Sequence, residues 1–95
     1  MRVPRREEKH AGDQSLLRHV IKMFFSDHAP PHFHAEYAEH EALVTIETLE
    51  VLRGELPRRA LALVLEWAAA HRDELRTDWN RARSGQTLEP IAPLE

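Results

Sequence analysis

One helical period runs through Pro57–Ser84, and it carries more helix than this chain can hold straight. Leu61, Val64, Leu65, Ala68, Leu75, Trp79 and Ala82 recur on one face, and Leu63 and Trp67 widen the stripe. A straight helix of that length spans about 42 Å at ~1.5 Å per residue. A globule of 95 residues has a radius of gyration of about 12 Å, hence a diameter of roughly 32 Å. The spacing therefore predicts a break near His71–Asp73, with Asp73 capping a second helix. The alternative is one continuous helix that protrudes into a dimer. Pro57 suits the first helical position and Gly85 a C-terminal stop.

The part before Pro57 reads differently. His19–Phe25 is short, apolar and β-branched, which predicts a strand. Ser26–Pro31 is a loop. Phe33–Tyr37 and Ala42–Thr48 are two further predicted strands, joined as a hairpin through Ala38–Glu41. Leu49–Leu56 reads as a connector, and Leu88–Leu94, with Pro90 and Pro93, as at most an edge strand. Residues 1–18 read as a charged, poorly ordered arm. The expectation is an α+β fold: a single domain over 19–95, with a small antiparallel sheet of about three strands packed on C-terminal helices.

Composition narrows the function classes. The chain has no cysteine, so disulfides, thiol catalysis and zinc–thiolate sites are excluded. Its longest unbroken apolar run, Ala60–Leu65, is too short to span a bilayer. No apolar stretch follows the charged start as a secretory signal would require, and a cytoplasmic setting is expected. The net charge of −3 is unevenly spread. Residues 19–56 hold seven acids against two basic residues and include His28, His32, His34 and His40. That balance favours a bound cation or protonated histidine over a nucleic-acid backbone. Residues 57–84 hold six arginines against four acids. Nucleic acid stays open there, beside the simpler reading of a solvated helix face.

The unusual segment is Asp27-His28-Ala29-Pro30-Pro31-His32-Phe33-His34-Ala35-Glu36-Tyr37. Strand alternation puts His32, His34 and Glu36 on one face and Phe33, Ala35 and Tyr37 on the other. A hairpin turning about Glu39 and His40 sets Phe33 opposite Ile46, His34 opposite Thr45 and His32 opposite Glu47. The apolar face is then unbroken, and a slip of one residue would mix the faces. Cα atoms two residues apart on a strand are about 6.6 Å apart, close enough for two imidazoles to share one ion. His32, His34 and Glu47 are the expected metal ligands, with Asp27 an alternative oxygen donor, and zinc or manganese the expected ion. The same residues, His32, His34, Glu47 and Asp27, are the candidates for acid–base catalysis, His32 as base and Glu47 as its orienting carboxylate. The plainer alternatives are a hydrogen-bonded structural cluster and surface histidines in weak ion pairs. His71 reads as a local helix cap, and Trp67 and Trp79 as core.

These residues resemble a small bacterial family known as a domain of unknown function, number four-one-six-zero. The resemblance covers roughly 19–95. It rests on D-x-x-P-P-H-x-H, matched by Asp27, Pro30, Pro31, His32 and His34, and on L-P-x-R-x-L, matched by Leu56, Pro57, Arg59 and Leu61. Glu66, Trp67, Glu74, Leu75 and Trp79 continue it. The resemblance implies one half of a two-gene, toxin–antitoxin-like module and lends no assigned active site. The leading expectation is therefore a small cytoplasmic protein-interaction component with a small protein partner from a neighbouring gene. The histidine-bearing face would be its contact surface. The alternatives are a metal-dependent hydrolase or nuclease built on the His-x-His strand, and a structural homodimer through the helices.

Overall fold

The computed structural model describes residues 10–16, 19–25 and 27–93. Among the described residues, five strands form one antiparallel meander: β1 (His10–Leu16), β2 (His19–Phe24), β3 (His32–Tyr37), β4 (His40–Thr45) and β5 (Val51–Glu55), in that spatial order. Two helices follow, α1 (Arg58–Ala70) and α2 (Arg72–Arg83).

The α+β expectation holds, and the strand count is corrected from three to five. β5 lies in the segment read as a connector. Every residue of it is exposed, so it lacks the one-sided burial that makes a strand visible as alternation. β1 lies in the segment read as an arm, and its backbone pairs with β2 from Leu16↔His19 onward. Residues 1–9, 17 and 18, the rest of that arm, lie outside the described residues. Leu88–Pro93 forms no strand.

The core follows from alternation. β2 turns His19, Ile21 and Met23 inward. Phe33 and Ala35 of β3 and Ala42 and Val44 of β4 are fully buried on the same side. Ala60, Val64, Trp67 and Ala68 of α1 and Leu75 and Trp79 of α2 complete one apolar cluster with them. Leu63, placed on the stripe by its spacing, stands at its solvent edge, 36% exposed.

The helix breaks where length required. α1 ends at Ala70, and the His71 N–H donates to the Trp67 and Ala68 carbonyls. The structure corrects the cap: His71 holds the N-cap position of α2, and Asp73 and Glu74 sit in its first turn, where negative charge complements the helix dipole. The last turn closes through Gly85 N–H to Ala82 O and Gln86 N–H to Arg81 O, a Schellman stop with Gly85 at φ 74°. The radius of gyration is 12.3 Å. Among the described residues, no helix is long and apolar enough to cross a membrane.

Candidate metal centre

The β3–β4 hairpin closes in a two-residue turn, Ala38–Glu39, with Ala38 at φ 53°. The register is therefore displaced by two residues from the expected one: Phe33 pairs with Val44, His34 with Leu43 and His32 with Thr45. An even displacement keeps each side chain on its face, so the apolar face survives and only the polar neighbours change.

That change removes Glu47. β4 ends at Thr45, whose hydroxyl accepts the Glu50 N–H at 3.1 Å and bonds the Thr48 hydroxyl at 2.6 Å. Glu47 rides on that turn, exposed, and takes Arg76 of α2 at 2.6 and 2.8 Å. This guanidinium holds the Glu47 carboxyl below its ordinary value. Glu47 is neither a neighbour of His32 nor its orienting carboxylate.

Asp27 takes the vacated role. It stands in the loop after β2 and is 8% exposed; His32 and His34 are 5% and 2% exposed. One carboxylate oxygen, Oδ2, lies 3.1 Å from His32 Nε2 and 3.3 Å from His34 Nε2. The three donor atoms all lie within 4.8 Å of one another. The histidines are not the solvent-facing contact surface that alternation suggested. His32 rests against Trp79, ring centres 5.1 Å apart, and His34 meets Phe24 edge-on at 4.7 Å.

The outer nitrogens decide what the inner ones can do. His32 Nδ1 lies 2.8 Å from the Pro30 carbonyl, which only accepts, so Nδ1 carries the hydrogen and donates. His34 Nδ1 donates likewise to Glu41 Oε2 at 3.2 Å. A neutral imidazole with hydrogen on Nδ1 leaves a lone pair on Nε2. Two such lone pairs and the Asp27 oxygen then face one another inside the protein. Positive charge must stand among them, supplied by protons or by a metal ion. Burial pushes the Asp27 carboxyl up, but the His28 backbone N–H at 2.8 Å and the positive field of His32 and His34 outweigh it, and its pKa settles below the ordinary 3.8.

The two separations from Asp27 Oδ2, 3.1 and 3.3 Å, suit a metal. Ligand atoms on one ion with bonds of ~2.1 Å lie roughly 3.4 Å apart in a tetrahedron and roughly 3.0 Å apart on adjacent octahedral positions. The pattern of ligating nitrogen inward and ring N–H donated outward to a carbonyl or carboxylate is the usual support of metal-bound histidine. Of the expected ligands, His32 and His34 are brought together, with Asp27, the alternative oxygen donor, in place of Glu47. Glu41 was missed; the signal lay in the register, which sets it diagonally across from His34.

The family model described as a domain of unknown function (DUF4160) matches residues 19–80. The chain belongs to this family. The match spans the sheet from β2 to β5, all three clustered residues, and both helices through Asn80. No curated protein and no solved structure matches the chain.

Proposed function

We propose that this DUF4160 chain is a metal-binding domain that holds one divalent cation, of the zinc or manganese class, between His32 Nε2, His34 Nε2 and the Asp27 carboxylate. One observation carries the reading: three buried donor atoms converge, one from Asp27 and two from histidines whose remaining N–H groups are already engaged elsewhere. Imidazole and carboxylate are both zinc ligands, and carboxylate suits manganese. The ion joins the loop carrying Asp27, in which His28, Ala29 and Pro30 are all exposed, to the strand carrying both histidines.

The test is metal content and zinc titration calorimetry on untagged protein, wild type against His32→Ala/His34→Ala. Close to one equivalent per chain, lost in the double variant, supports the site. Absence of metal together with no heat at micromolar zinc overturns it.

The donor count favours a second reading, metal-dependent hydrolysis. Three protein ligands leave a coordination position for water, whose pKa a bound zinc lowers towards neutrality. RNA and DNA cleavage with each metal and with chelator tests it. Equal results for wild type and His34→Ala remove it.

A further inference from the structure

We infer that Glu41 is the positioning residue of this metal centre, fixing the tautomer and ring orientation of His34 and so setting how tightly the cation is held. The inference rests on the metal reading and adds to it a residue outside the ligand set.

Glu41 is not itself a ligand. Its Oε2 meets Nδ1 of His34, on the side of the ring away from Nε2 and Asp27. It reaches the ring diagonally, since His34 pairs with Leu43 and Glu41 lies two residues along β4 on the same face. Diagonal neighbours are within reach of long side chains.

The position is an expensive one to keep acidic. Glu41 pairs directly with Glu36, and like charges directly opposite one another destabilise a sheet. The two carboxylates are drawn apart by separate bases: Glu36 takes Lys22 at 3.2 Å, and Glu41 takes His34 at 3.2 Å.

The Glu41 backbone is held from its other flank. Gly54 of β5 pairs with Ala42 at φ 76°. A Cβ on Gly54 would lie 2.1 Å from the Glu41 carbonyl oxygen. Only glycine lets β5 approach so closely, and that approach sets where the Glu41 side chain starts.

The two histidines are supported unequally. His32 donates to a main-chain carbonyl, that of Pro30, which no side-chain substitution deletes. His34 donates to a side chain, so affinity can be tuned through Glu41. Removal of an outer partner of this kind lowers metal affinity by about 10–100-fold.

The experiment compares zinc affinity of the full chain as wild type, Glu41→Ala and Glu41→Gln, with circular dichroism to check folding. Nitrogen NMR of the imidazoles reads the His34 tautomer in the same samples. Glu41→Ala is expected to lose about 10–100-fold in affinity, and its His34 to leave the pure Nδ1–H form. Glu41→Gln keeps an oxygen acceptor at the same reach, so it restores the tautomer and most of the affinity. It also reports if the alanine variant does not fold. Normal zinc binding by wild type with unchanged affinity and tautomer in both variants overturns the inference alone. No zinc binding by wild type overturns the metal reading and this inference with it.

Discussion

The indole N–H of Trp67 donates to the carbonyl of Ala92 at 2.8 Å, tying the segment after the last helix back onto α1. The same segment is tied to α2, where Asp78 Oδ1 accepts the Glu89 N–H at 2.9 Å. Between these two bonds Ile91 is 4% exposed within the core cluster. The segment therefore clasps the two helices across their break. Ile91→Ala should cost about 2 kcal/mol, the lower end for a buried isoleucine because an unstructured segment relaxes into the void. Urea denaturation reads it as a lower midpoint with unchanged slope. An unchanged midpoint would mean that the clasp contributes nothing.

Gly54 and Gly85 form a matched pair for a second test. Both have positive φ, 76° and 74°. A Cβ at Gly85 meets nothing within 4 Å, whereas one at Gly54 overlaps the Glu41 carbonyl. Gly85→Ala should therefore cost only the left-handed backbone penalty, about 1 kcal/mol. Gly54→Ala adds a backbone clash and should cost well over about 2 kcal/mol. Equal denaturation midpoints for the two variants would show that β5 moves away freely.

What was legible in the sequence is what two constraints fix jointly. The break at His71 followed from a 3.6-residue period meeting the size of the globule, and the Gly85 stop from a glycine standing just past the last periodic residue. The inward placement of Phe33 and Ala35 on β3 followed from alternation, and the proximity of His32 and His34 from their spacing on one face, whereas the burial of those histidines did not. The misses have a common physical origin. β5 is exposed along its length and leaves no periodic mark. The hairpin register turned on Ala38, which adopts φ 53° without the glycine or asparagine that announces such a turn. That single turn moved the polar partners by two residues, and it exchanged Glu47 for Asp27 as the carboxylate of the site.

Asp78 predicts a pH dependence. Burial raises its carboxyl above the ordinary 3.8, and the Glu89 N–H offsets this only in part. A folded-state pKa above the unfolded one means that the folded chain binds the proton more tightly. Stability from this group is then greatest below 3.8 and falls as pH rises through the raised value. Asp78→Asn keeps an oxygen to accept the Glu89 N–H and removes the charge. Its melting temperature should exceed that of wild type near neutrality, with the gap closing as the pH falls to the ordinary aspartate value. A variant less stable than wild type at neutral pH would show that attraction from Arg81 outweighs burial.

Glu47 and Asp27 separate the proposed metal site from its surroundings. Asp27 offers a buried oxygen to both histidines, whereas Glu47 spends its carboxylate on Arg76 at the surface. A cation that binds only the folded chain stabilises it by about 2.7 kcal/mol at a hundredfold excess over Kd. For a domain of this size that is a rise of roughly 10–20 °C in melting temperature. Wild type and Glu47→Ala should show the same zinc-induced rise, reversed by chelator. Asp27→Ala loses a ligand rather than an outer partner, so its affinity should fall by more than the roughly 10–100-fold expected of the latter, and the rise should vanish at the same zinc concentration. A rise abolished by Glu47→Ala and retained by Asp27→Ala would instead place Glu47 opposite His32, in a hairpin register displaced by two residues.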